Sequence, residues 1–262
     1  MTTTVQVLTD EQIRSNIHQR FGAMMTTLEC IIDPFNTIRA MIVTGAPGVG
    51  KSYNLIKRLE QAHDNLECDF HKISGKVTPL GLYQALNKTR HFGSVLLLDD
   101  VDVFEDEGTL DILKAALDSS KTRTVSYISN SNVLRKEGIP NQIEYSGKII
   151  FVSNKNFMHI LNSNSKLQPH VKALVTRGTF IDLQIHDTRS ILIQIEDVLT
   201  HTDMLTKHVS VQQQKDILDF MKSNADRLLE PSLRTPINIS GLVLHDAQNW
   251  KNTAEVSFLK SA

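Results

Sequence analysis

The chain has 262 residues, of which 40% are hydrophobic and 22% charged, and its formal net charge is −1 at pH 7. That length predicts one core domain with a smaller appendage, and the hydrophobic share suits a globular protein with a sizeable core. Near-neutrality excludes a surface that coats nucleic acid by bulk charge, while leaving room for a local basic patch.

Cys30 and Cys68 lie far apart, with no CxxC or Cys/His spacing. They indicate neither a disulfide framework nor a zinc site, and reduced thiols are expected. The ten histidines form no HExxH and no close pair, and His186 and His201 sit in stretches that need no ligand. The opening "MTTTVQVLTDEQ" has no positive n-region and no apolar h-region, and no apolar run approaches a membrane span. A cytoplasmic protein with no membrane partner is expected.

In chain order, "TDEQ" predicts a helix starting near Thr9, with Gln12 completing a capping box and Asp10 and Glu11 at the positive end of the dipole. Ile13, Ile17, Phe21, Met24, Met25 and Leu28 follow at helical spacing, and Pro34 ends the region. A strand over Met41–Thr44 leads into a glycine loop and a helix from Lys51 to about Ala62. Further strands are expected over Cys68–Ser74, Ser94–Asp100, Lys148–Asn154 and Thr179–Ile185, with helices over Leu80–Lys88 and Leu110–Leu117. The continuous apolar runs suit a parallel sheet covered on both faces. Thr124–Ser146 reads as two short strands around a polar loop. After Ile185 three helical patterns follow with no buried strand between them. The expected layout is a helical segment over 1–37, an α/β nucleotide-binding domain over 38–186 and an all-helical domain over 187–262.

Gly45–Ser52, "GAPGVGKS", matches G-x-x-x-x-G-K-[ST] in full. Gly45, Gly48 and Gly50 let backbone N–H groups approach phosphate oxygens without a Cβ in the way. Ala46, Pro47 and Val49 complete the loop, and the following helix, with Tyr53 in its first turn, offers its free N–H groups. Lys51 can bridge β- and γ-phosphates, and Ser52 can ligate Mg²⁺. The competing reading is a glycine-rich turn with an incidental lysine, but a strand before and a helix after match the phosphate-loop context. At the end of "SVLLLDD" stand Asp99 and Asp100, where open α/β sheets bind ligands. Asp99 is assigned to the metal and Asp100 to the base that activates water. Asp102, Glu105, Asp106 and Glu107 continue the acidity as a solvated turn.

These motifs, in this order, resemble those of the AAA+ ATPases over roughly residues 38–250. The resemblance implies a parallel-sheet P-loop core with a C-terminal helical lid, binding ATP and Mg²⁺ and hydrolysing ATP. "IIFVSNKN" looks like the sensor-1 strand and implies that Asn154 contacts the γ-phosphate and the lytic water; the plainer reading is a strand-end turn former. "VKALVTRGTFIDL" is similar to the arginine-finger segment, with Arg177 as the finger and Thr176 and Gly178 departing from the S-R-C of clamp loaders. "EPSLRTPINIS" looks like a lid helix bearing a sensor-2 arginine, Arg234, which otherwise caps or bridges helices. A finger acting across subunits implies a homo-oligomer, with a ring of six expected. Asp99-Asp100 stands where motor members carry Asp-Glu, and the shorter base implies slow hydrolysis. By the same resemblance the channel loop is Gly75–Tyr83, with Lys76 and Val77 reaching a polymer. Separately, Arg135 and Lys136 in the insertion Ser131–Ser146 read as a basic tip offering a second contact with phosphates; an ordinary solvated loop explains either equally well. The layout, including "LKAALDSSKTRTVSY", is similar to AAA+ proteins of bacteriophages. The function expected is loading or remodelling of a macromolecular partner, DNA or a DNA-bound protein. The alternatives are a P-loop kinase with a small acceptor and a slow ATP-gated assembly module.

Overall fold

The computed structural model describes residues 8–104, 106–128 and 132–261. Residues 1–7 of the N-terminal stretch, Glu105 of the acidic turn and 129–131 of the polar loop lie outside them. Helix α1 (Asp10–Ile32) opens on the predicted capping box. Thr9 Oγ1 accepts from the Gln12 N–H at 3.2 Å, and Gln12 Oε1 accepts from the Thr9 N–H at 2.8 Å.

Two compact units can be distinguished, one α/β (residues 20–45 and 51–183) and one helical (residues 8–19, 46–50 and 184–261). In the α/β unit, β1 (Ala40–Thr44), α2 (Lys51–Asp64), β2 (Asp69–Ser74), α3 (Pro79–Lys88), β3 (Ser94–Asp99) and α4 (Glu107–Ala116) follow in turn. Next come β4 (Thr124–Ser126), α5 (Asn132–Glu137), β5 (Gln142–Glu144), β6 (Lys148–Ser153), α6 (Phe157–Leu161), α7 (Gln168–Val175) and β7 (Thr179–Asp182). The main sheet is parallel throughout, in the order β2-β3-β6-β1-β7, and β4 and β5 pair antiparallel in a separate ribbon. Every residue of β1, β3 and β6 is buried, as their unbroken apolar runs predict. Leu82 and Leu86 of α3, Leu110 and Leu113 of α4, Leu96 and Leu98 of β3 and Phe151 of β6 form one core. Each such side chain contributes about 1.5–3 kcal/mol on burial.

Register places the functional ends together. Ser74, Asp99 and Val152 are neighbours across β2, β3 and β6, and Ser153, Thr44 and Asp182 are neighbours across β6, β1 and β7. The C-terminal edge of the sheet therefore carries Asp99, Asp100, Asn154 and the start of the glycine loop.

The segment between β4 and β5 holds the short helix α5, where a polar loop is expected from composition. Gly138, at φ +65°, closes it, and the Ile139 N–H donates to the Leu134 carbonyl at 2.9 Å. The turn residues thus form a helix C-cap. Helices α6 and α7 are also additions to the sequence reading, started by Asn156, whose side chain accepts from the His159 N–H, and by Pro169 in the first turn.

The helical unit contains α8 (Thr188–His201), α9 (Val211–Ser223), α10 (Arg234–His245) and α11 (Trp250–Phe258), four helices where three patterns are predicted. The third pattern breaks at Asp246, whose carboxylate accepts from the N–H groups of Gln248 and Asn249, both at 3.1 Å. The Phe220 and Trp250 rings pack edge to face at 5.4 Å. In the same unit Arg14 of α1 pairs with Glu196 at 3.0 Å. No helix of the described residues is long and apolar enough to cross a membrane.

Candidate nucleotide-binding site

Helix α2 begins at Lys51, directly after the glycine loop, so its first N–H groups are free of intrahelical partners. The Lys51 side chain is buried. Its ammonium donates to the Gly45 carbonyl at 2.7 Å and to Asn154 Oδ1 at 2.8 Å. Asn154 Nδ2 in turn donates to Asp100 Oδ2 at 2.7 Å. One amide thus links the cation of the loop to the carboxylate expected to act as base. Burial brings the Lys51 ammonium down from 10.5 to about 8, against the pull of Asp100 and Asp99.

Asp100 sits at φ +57°, in the left-handed region, with its N–H donating to the Val152 carbonyl at 3.1 Å. Aspartate and asparagine visit this region more readily than longer side chains because their short polar groups bond locally. An aspartate at this position suits that backbone. Beside Asp100 and Asn154 opens a cavity of about 250 Å³, lined also by Asp102, Ser153 and Lys155.

Asp99 is nearly buried at the end of β3. One carboxylate oxygen accepts a short hydrogen bond from the Ser52 hydroxyl, and the other pairs with the Lys72 ammonium at 3.1 Å. Ser52 and Asp99 offer hard oxygens side by side. That suits Mg²⁺, which takes one or two protein oxygens and completes its shell with phosphate and water. Lys72 is absent from the sequence reading. The register of β2 against β3 gave the only clue, since Lys72 lies two residues before Ser74, the strand partner of Asp99.

Within the helical unit the loop 46–50 is held by backbone. The Ala46 N–H donates to the Ile185 carbonyl at 2.8 Å, and the Leu233 N–H donates to the Gly48 carbonyl at 2.8 Å. Gly48 is at φ +68°, and a Cβ there would lie 2.7 Å from the Ser232 Cβ. Its lack of a side chain is needed twice over, for conformation and for closeness.

No family model matches the sequence. A protein of Enterobacteria phage T4, the uncharacterised 36.7 kDa protein of the nrdC–mobD intergenic region, is 38% identical over 245 residues, covering 93% of this chain and 75% of that protein. Domain III of the Thermotoga maritima replication initiation protein DnaA superposes with a TM-score of 0.53 at 14% identity, over 94% of this chain and 91% of that one. NtrX from Brucella abortus in complex with ADP superposes with a TM-score of 0.52 at 13% identity, over 87% of this chain and 51% of its own. The chain thus spans about half the length of NtrX, and at these identities the likeness is one of fold. The fold shared with these neighbours is that of the AAA+ P-loop ATPases. The chain belongs to one family with the phage T4 protein.

Of the remaining candidates, Arg177 ends the turn after α7. It donates to the Ala173 carbonyl at 2.6 Å. Asp118, held low first by hydrogen bonds from Ser120, also feels its charge. The guanidinium is thus hydrogen-bonded to its own helix. The glycine after it departs from S-R-C for a packing reason: a Cβ on Gly178 would meet the Ala40 Cβ at 3.1 Å and its carbonyl oxygen at 3.2 Å. Arg234 is exposed at the first position of α10, its N–H donating to Ser232 Oγ at 3.3 Å. Tyr53 is solvent-facing on α2. Lys76 is exposed and Val77 half-buried in the connection before α3, and Arg135 and Lys136 occupy the last turn of α5.

Proposed function

We propose that this protein is an AAA+ ATPase that binds and hydrolyses ATP as a homo-oligomer and loads or remodels a macromolecular partner, with DNA metabolism as the setting. The Lys51–Asn154–Asp100 relay carries the reading, because it joins a phosphate-binding cation, a water-positioning amide and a base in one hydrogen-bonded line. The loop amides and Lys51 would hold the phosphates, and Asn154 would orient the water whose proton Asp100 accepts. Ser52 and Asp99 would hold magnesium, which neutralises charge on the β- and γ-phosphates. Arg177, exposed in part and turned to its own helix, would serve a neighbouring subunit's site, and Arg234 would report the nucleotide state to the lid. Two fold neighbours are replication initiation proteins by their names, which supports the DNA setting.

The test is ATPase activity per subunit against protein concentration, for wild type and for an equimolar mixture of Arg177→Ala with Asp100→Asn. Activity that rises with concentration, and mutual rescue in the mixture, are expected. Flat activity and a dead mixture would remove Arg177 from a shared site.

A further inference from the structure

A second cavity, of about 400 Å³, lies in the α/β unit at the other end of the sheet. Its walls come from the residues leading into β1, β3 and β6, and a strand of five or six residues separates them from the C-terminal edge by roughly 17–20 Å. Four cations line it: Arg39, Lys121, Arg123 and Lys148, against one lining carboxylate, Glu144.

Arg123 and Lys148 are 4% and 6% exposed. Arg123 donates to the Ala116 and Gly147 carbonyls at 3.0 and 2.6 Å and lies 5.0 Å over the Tyr145 ring. Lys148 donates to the carbonyls of Cys30, Asp33 and Asn36 at 2.9, 2.6 and 3.1 Å. Arg39, exposed beside them, donates to the Ser120 carbonyl at 2.8 Å. These hydrogen bonds go to neutral carbonyls, so the positive charge of the cluster persists. Burial lowers the pKa of Arg123 and of Lys148. Arg39 adds to the effect on Arg123, and Arg123 to that on Lys148, where the Asp33 charge opposes it. Setting four cations, two of them buried, against a single lining carboxylate is costly, and an arriving anion relieves it.

At the rim stand Phe35 and Phe92, 85% and 59% exposed, their rings edge to face at 5.3 Å. Exposed aromatic faces beside a cationic groove are what an unstacked base and its phosphate require.

We propose that this cavity binds a segment of single-stranded nucleic acid, with a base on Phe35 and Phe92 and the flanking phosphates on Arg39 and Lys121. Arg123 and Lys148 supply the fixed positive field behind them. The site is independent of the ATP-site reading, since it shares no residue with the phosphate loop or its carboxylates.

The experiment is fluorescence anisotropy of a labelled single-stranded oligonucleotide with wild type, Phe35→Ala/Phe92→Ala, Arg39→Glu/Lys121→Glu and Lys51→Met. The altered residues at the cavity are all exposed, and circular dichroism checks that each variant is folded. Loss of the two rings should weaken binding about five- to a hundredfold. Two phosphate contacts should weaken wild-type binding about sevenfold between roughly 50 and 200 mM salt, and the charge-reversed variant should lose that salt response. Lys51→Met should bind as wild type does, which separates this site from the ATP site. No binding by wild type, or binding unchanged by both cavity variants, overturns the proposal. Competition by inorganic phosphate as effective as by the oligonucleotide would overturn the base contact and leave an anion site only.

Discussion

Lys51→Met should abolish nucleotide binding and, at neutral pH, stabilise the nucleotide-free protein. A group held at about 8 in the folded chain and at 10.5 when unfolded costs about 1.4 kcal/mol for each pH unit of that gap, about 3 kcal/mol in all. The sign follows from the direction: burial disfavours the charged form. The cost is therefore full below pH 8 and fades as pH rises from 8 to 10.5. Methionine removes the charge and retains bulk, but it leaves the Gly45 carbonyl and Asn154 Oδ1 without this donor, at about 1 kcal/mol each. The net gain at pH 7 is about 1 kcal/mol or more, or roughly 2–4 °C in melting temperature. The pH dependence is the sharper quantity, because those lost bonds do not titrate. Urea unfolding of both proteins without nucleotide should show the variant's advantage shrinking by about 2–3 kcal/mol between pH 7 and pH 10. A difference that is flat with pH, or a variant less stable at pH 7, would refute the reasoning. In the wild type, nucleotide affinity should fall about tenfold per pH unit above 8, as the phosphates lose their cation.

Three further outcomes are expected. Gly48→Ala should destabilise by about 1–2 kcal/mol for its left-handed backbone, with more for the clash at Ser232. Ser232→Gly in the same chain should return the clash portion alone, read as a coupling in thermal unfolding. Asp100→Asn should bind ATP with near-wild-type affinity and lose turnover, whereas Asp100→Glu should lower the melting temperature because it suits the left-handed backbone poorly; unchanged hydrolysis in the asparagine variant would remove Asp100 from the role of base. Lys72→Met should tighten Mn²⁺ binding to the ATP complex, measured by electron paramagnetic resonance, since it takes a competing cation from Asp99; an unchanged affinity would show that Lys72 leaves the carboxylate on its own.

The sheet and the phosphate loop were legible because each is written in contiguous residues. Strands β1, β3 and β6 are unbroken apolar runs, and the loop carries its glycines, lysine and serine at fixed offsets. Features made by pairing distant segments were not legible. Lys72 meets Asp99 only through strand register, and Ser232 meets Gly48 across more than 180 residues of chain. The left-handed turn at Asp100 leaves no mark in composition, because aspartate is ordinary at a strand end. Short helices were the other omission. Helices α5 and α6 have six and five residues, too few to show a helical period, and their caps alone announce them. At Asp246 the polar signal for a break was present, but the apolar spacing on either side continued through it.

The loop 46–50 is joined by its carbonyls and amides to residues far down the chain: Ile185, Leu233 and Gln194, whose side-chain amide donates to the Val49 carbonyl at 3.4 Å. A cut after residue 186, where composition changes, would leave the sheet whole yet strip two of those three anchors from the phosphate loop. The glycine loop thus takes its shape from residues that follow the last strand of the sheet as well as from those beside it. Gene fusions or truncations that exchange the C-terminal helices would therefore exchange the anchors of the glycine loop as well.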